Sequence, residues 1–162
     1  MVCPFCGATS TMVRHGYRYW SISPEQSGIR AWRIHCKKRN GRGGCGRAPS
    51  LYLTDTILYH CFNTAQIWGF IEALKSKCSV KAAWESCTTS LSLDTGYRLY
   101  KRINKCQSVL RTHLTSRGPP PKTEKAVAPL FQVFEHLKEV FGDLCPPREY
   151  QSHFQRNFLS IT

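Results

Sequence analysis

Two pairs of cysteines frame the amino-terminal third of the chain and limit what that third can become. Cys3-Pro-Phe-Cys6-Gly7 opens it, and Cys36 and Cys45-Gly46-Arg47 close it. Two thiols with two residues between them, followed by a glycine that tolerates a positive φ, form a knuckle whose sulfurs face one ion. One knuckle supplies half a tetrahedron, and Cys36 with Cys45 supplies the other half. The pattern predicts one structural Zn²⁺ held by Cys3, Cys6, Cys36 and Cys45. Such a closed shell leaves no open position for catalysis. His15 and His35 stand in reserve, because four sulfurs already complete the shell. The other cysteines (Cys61, Cys78, Cys87, Cys106 and Cys145) sit mostly among apolar neighbours and read as small core residues.

Between the pairs lie two strand-like runs. Alternation over 12–20 places Val13, His15, Tyr17 and Tyr19 on one face, and alternation over 29–36 groups Arg30, Trp32, Ile34 and Cys36. The intervening SISPEQSG is a turn by composition. Knuckle, hairpin, knuckle is the layout of a zinc ribbon. The second pair is C-x8-C where ribbons use C-x2-C, and the surplus is the loop KKRNGRGG. Its Lys37, Lys38, Arg39 and Arg42, with Arg47 just beyond, put like charges where a polyanion would relieve their repulsion.

Net charge supports that partner. The chain carries +13, divided as +8 over residues 1–50, +5 over 51–118 and 0 over 119–162. Clustered Lys and Arg of this kind are the electrostatic footprint of a nucleic-acid binder. The start, MVCPFCG, lacks the basic-then-apolar run of a secretory signal, and no apolar stretch approaches the roughly 20 residues a bilayer demands. The expectation is a cytoplasmic, nucleoid-associated protein with no membrane partner.

Past Pro49 the period changes from two to that of a helix. Asn63-Thr64-Ala65-Gln66 reads as a capping box before an apolar stripe of Ile67, Phe70, Ile71 and Leu74. A short helix fits 79–87, with Ser79 as cap. A longer one starts near Ser92 and runs to about Leu114, with Leu99, Ile103, Cys106 and Leu110 inward. Short helix, turn, longer basic helix is helix-turn-helix order, in which the second helix enters the major groove. Thr95, Arg98, Lys101, Arg102 and Lys105 are its candidate nucleic-acid contacts. No acid follows Asp94 along this face, so pairing along the helix does not account for the bases.

CPFCG, a basic strand pair, CGR with SLYL, then SVKAAWES before YRLYKRI together resemble a known bacterial arrangement over roughly residues 1–115. They are similar to the zinc-ribbon and helix-turn-helix DNA-binding proteins of insertion sequences, and to the amino-terminal halves of related transposases. That resemblance implies a protein of a mobile element that recognises element ends or regulates transcription of the element. It would place zinc on the four cysteines and Arg98, Lys101, Arg102 and Lys105 against double-stranded DNA.

Residues 116–129 contain three consecutive prolines and read as a linker. Beyond it, Leu130, Phe131, Phe134, Leu137 and Phe141, then Tyr150, Phe154 and Phe158, mark a C-terminal helical hairpin. It caps the core, forms a homodimer, or docks a transposase or nuclease. The expected architecture is a small α+β protein: zinc ribbon 1–50, helix-turn-helix-like domain 51–115, linker 116–129 and helical hairpin 130–162. Acids are few and scattered, there is no phosphate-binding glycine loop, and no catalytic centre stands out, so the chain reads as a non-enzyme. Two rival readings stand beside DNA recognition. One is a ribbon that stacks unpaired RNA bases on Tyr17, Tyr19, Trp20 and Trp32. The other is a non-catalytic subunit of a larger nucleoprotein complex.

Overall fold

A computed structural model describes residues 1–23, 26–39, 42–58, 60–77, 79–87, 90–122, 128–142 and 145–161. The fold is small α+β and divides into two compact units, Met1–Leu53 and Thr54–Thr162. The first contains the strands β1 (Met12–Ser23), β2 (Gln26–Cys36), β3 (Lys38–Arg39), β4 (Arg42–Gly43) and β5 (Ser50–Tyr52). β1, β2 and β5 make an antiparallel sheet in that order, and β3 with β4 makes a separate two-stranded ribbon.

Two local expectations change here. Both long strands continue into the stretch read as a turn, with Ser21 opposite Ser27 and Ser23 opposite Gln26. The antiparallel ladder is made by backbone groups, so serines extend it without apolar side chains. Pro24 and Glu25 lie outside the described residues. The register also slips between Arg14 and Gly16, where Gly16 takes φ +124°. A one-residue slip exchanges faces. The slip therefore breaks the alternation expected over Val13, His15, Tyr17 and Tyr19. His15 comes beside His35, with ring centroids 5.5 Å apart. Arg14 instead joins Tyr17, whose ring centroid lies 4.5 Å from the guanidinium.

The second unit is helical: α1 (Thr64–Ser76), α2 (Val80–Glu85), α3 (Leu93–Thr115), α4 (Pro129–Phe141) and α5 (Pro146–Phe154). The expected capping box forms. Asn63 Oδ1 accepts from the Gln66 N–H at 2.8 Å, and Gln66 Oε1 accepts from the Asn63 N–H at 2.9 Å. Ser79 caps α2 through the Ala82 N–H at 3.1 Å. α2 meets α3 at Gly96, where a Cβ would lie 2.6 Å from the Trp84 ring, so only glycine allows the two elements this close. Phe70 packs edge-on against Trp84, and Trp68 against Phe134.

Leu130, Phe134 and Leu137 of α4, Tyr150 of α5, and Phe158 share one buried cluster with Ile67 and Phe70 of α1 and Leu99, Ile103 and Leu110 of α3. These residues of 130–162 thus complete the core of their own unit, while Phe131, Phe141 and Phe154 are partly buried against it and Ile161 is exposed. Gln151 ties the entry of the unit to its end: its Nε2 donates to the Thr54 and Thr56 carbonyls, and its Oε1 accepts from the Phe158 N–H. Among the described residues no helix is long and apolar enough to cross a membrane.

Candidate metal centre and basic surfaces

Cys3 and Cys6 come from the amino-terminal knuckle, Cys36 from the end of β2, and Cys45 from the segment after β4. Their four sulfurs lie within 4.8 Å of one another, and all four are free thiols. Tetrahedral geometry with metal–sulfur bonds of about 2.3 Å sets sulfurs about 3.8 Å apart. Cys3 and Cys45 are 3.8 Å apart, as are Cys6 and Cys36. A disulfide would require about 2.05 Å. The cluster therefore fits one metal ion, and the residues present suit a soft, four-coordinate cation.

The two halves are built alike despite their unequal spacing. In the first, Gly7 (φ +69°) donates to the Cys3 carbonyl at 2.9 Å, and the Cys3 N–H donates to Ala8. In the second, Gly46 (φ +76°) donates to the Cys36 carbonyl at 2.9 Å, and the Cys36 N–H donates to Arg47. The C-x8-C pair thus makes the same backbone bonds as the C-x2-C pair. The surplus leaves as the β3–β4 ribbon, where Lys38 faces Gly43 and Arg39 faces Arg42.

Cysteine spacing alone does not mark Gly44, at the foot of that ribbon, as part of the metal site. A Cβ there would lie 2.5 Å from Cys36 Sγ and 2.7 Å from the Lys37 carbonyl oxygen, so only glycine clears the ligand. The signal was the doubled glycine in GGCG, directly before a ligand. Nor does spacing mark Thr11, whose hydroxyl lies 3.2 Å from Cys36 Sγ.

The thiols differ in acidity. Burial would raise Cys3, but the N–H groups of Phe5 and Cys6 and the thiols of Cys36 and Cys6 outweigh it and bring it down to about 7. At Cys6 the Ala8 N–H lowers the value, yet burial and the three neighbouring thiols push it up to about 11. Four sulfurs this close share charge poorly without a cation between them. A coordinating ion reverses that, since bound thiols are deprotonated outright.

Among the expected basic contacts, Lys37, Lys38 and Arg47 are exposed beside the cluster. Arg47 lies over the Phe5 ring, 5.0 Å from its centroid. The side chains of Arg39 and Arg42 lie outside the described residues, as does that of Trp20. On α3, Arg98, Lys101 and Lys105 are exposed along one row. Arg98 pairs with Asp94, with 2.8 Å between Nη2 and Oδ2, so i,i+4 pairing does account for that base, contrary to the expectation. At such exposure the pair contributes about 0.3–0.5 kcal/mol and leaves Arg98 easily recruited.

Thr95 is half-buried, its hydroxyl 3.2 Å from that of Ser92. Arg102 leaves the row altogether: it is half-buried, and its Nε donates to the Leu159 carbonyl at 2.8 Å. Asn104 is engaged within the helix, by the Tyr100 carbonyl and by Gln107. No protein-family model, curated protein or solved structure matches this chain.

Proposed function

We propose that the chain is a zinc-stapled protein that binds double-stranded DNA sequence-specifically, without catalysis, in the service of a mobile element. The cation is zinc because four thiolates at tetrahedral spacing suit it, and because it needs no redox partner to serve as a staple. The observation that carries the reading is the exposed row Arg98, Lys101 and Lys105 on α3. It faces outward on the helix that α2 meets at Gly96, in a chain of net charge +13. In this reading α2 and α3 act as a helix-turn-helix with a long connection, and α3 enters the major groove. The ribbon unit, with Lys37, Lys38 and Arg47, grips phosphates or the minor groove. Recruitment of a transposase or nuclease through 130–162 falls to outward residues such as Glu139, Arg148 and Ser152, because Leu130, Phe134, Leu137, Tyr150 and Phe158 are buried in the core.

Selection of the zinc-loaded protein against mixed pools of random duplex DNA and single-stranded RNA, at near-physiological salt, tests this. One enriched duplex motif, with discrimination relaxed in Lys101→Ala, supports it. Enrichment of RNA, or of no sequence at all, overturns it.

One observation favours a second reading. Tyr19 is 66% and Trp32 44% exposed on the sheet, and Arg14 lies between the Tyr17 and Trp32 rings at 4.5 and 5.2 Å from their centroids. Exposed rings beside a cation suit the stacking of unpaired RNA bases. Loss of RNA binding in Trp32→Ala, with Lys101→Ala unaffected, would select that reading over the first.

A further inference from the structure

Arg102 turns away from the basic row and toward the end of the chain, where the Leu159 carbonyl holds its Nε. There it lines a cavity of about 430 Å³ together with Leu58, His60, Arg98, Asn157 and Ser160. Phe62 is buried and stacks on the His60 imidazole, with centroids 4.9 Å apart and planes 22° from parallel. The imidazole is therefore held in orientation. Two arginines, His60, Asn157 and Ser160 make up its polar lining, with Asn157 Oδ1 already accepting from the Leu159 N–H at 2.9 Å. Arg98, at the rim, brings with it the carboxylate of Asp94.

We infer that this cavity is an oxyanion site that takes a phosphate group of the DNA backbone, an assignment that rests on the duplex reading above. A guanidinium whose Nε is engaged still carries its Nη donors, and their planar fork matches two phosphate oxygens. A backbone phosphate presents two such oxygens, and Arg102 is anchored before the phosphate arrives. Arg98 closes over the anion by exchanging Asp94 for it. Phosphate contacts fix register without reading sequence. The division of labour on α3 follows. Arg98 and Arg102 set how the helix sits, and Lys101 and Lys105, exposed on the same helix, are left to meet the bases.

The test uses the full, zinc-loaded chain and inorganic phosphate at ionic strength held constant with chloride. Side-chain NMR signals of His60 and Arg102 report occupancy. Saturable shifts at both are expected. Arg98→Gln should weaken saturation about tenfold, the scale of one charge-assisted hydrogen bond. Asp94→Asn should tighten it, because the anion no longer competes for Arg98. Both positions are exposed on α3, so neither variant threatens the core.

On duplex DNA, Arg98→Gln should lower the slope of log affinity against log salt by about one unit. Shifts that grow linearly with any anion, or an Asp94→Asn variant that binds no tighter, would overturn the site. Saturable phosphate binding with no affinity for any duplex would keep the cavity as an oxyanion site and sink the DNA reading. Duplex binding with an unchanged salt slope in Arg98→Gln would keep the DNA reading and sink the cavity.

Discussion

The two units solve the problem of staying folded in opposite ways. In Thr54–Thr162 large side chains are inside: Phe70, Phe134, Tyr150, Phe158 and a set of Ile and Leu residues are almost fully buried. In Met1–Leu53 the described buried apolar residues are Cys3, Ala31, Ile34 and Cys36, while Phe5, Val13, Tyr19, Trp32, Leu51 and Tyr52 are exposed. The helical unit has a core that can carry its own entropy cost. The sheet unit has a cluster of sulfurs where a core would be, and a domain of this size rarely stands on so little apolar burial without a staple. The sulfur cluster stands where the interior of the first unit would be, so an ion held there should stabilise that unit and leave the second indifferent.

Removing the metal is the sharpest way to break that contrast. Chelation, or Cys36→Ser, should abolish dispersed NMR signals from residues 1–53 while far-UV helical signal and the thermal transition of the second unit persist. Structural zinc contributes about 10–16 kcal/mol to small sites of this kind at neutral pH. Cooperative loss of both units together would disprove their independence.

Phe134→Ala should do the converse. It should destabilise the helical unit by about 3–5 kcal/mol, read from denaturant unfolding, with zinc stoichiometry unchanged. Gly44→Ala tests whether the sulfur cluster is packed as tightly as a core. Zinc affinity, measured by competition with a chelator, should fall about 10- to 100-fold, the scale of changes beside a ligand. An unchanged affinity would mean the foot of the ribbon can shift.

The smallest effect concerns pH and the helical unit. Burial, with Arg156 adding to it, lowers the pKa of His113, which stacks on Phe154 and hydrogen-bonds the Tyr150 hydroxyl. The folded state prefers neutral His113, so its contribution is present above the ordinary histidine value and is lost as pH falls through it toward the lower folded value. The melting temperature of this unit should therefore drop modestly between about pH 7 and about pH 5. His113→Gln should flatten the drop.

The cysteine cluster was legible because ligand chemistry leaves a short-range signature, a pair of cysteines with a glycine after the second. Helices α1 and α3 were legible because capping groups and apolar period agree at Asn63, Gln66, Leu99 and Ile103. What escaped depends on partners distant in sequence. Arg98 and Arg102 share a helical face by spacing, but the Leu159 carbonyl, 57 positions away, turns one of them aside. The slip at Gly16, which sends His15 to His35 and Arg14 to Tyr17, is fixed by pairing with β2, and alternation within β1 carries no trace of it. Gly44 was visible only as one glycine among several until Cys36 was placed against it.

The β3–β4 ribbon leaves and re-enters the metal knuckle at adjacent points, because Gly46 closes back onto Cys36 whatever lies between them. The ligand set is thereby insulated from the length of what it extrudes. A longer arm, a different charge pattern or a foreign epitope could be spliced between β3 and β4 while Cys36, Gly43, Gly44 and Cys45 stay in place, since Gly43 takes φ +107° and a Cβ there would lie 2.9 Å from the Thr11 methyl. Lineages sharing this knuckle should then differ most in the size and composition of that arm, with the glycine at its foot held constant.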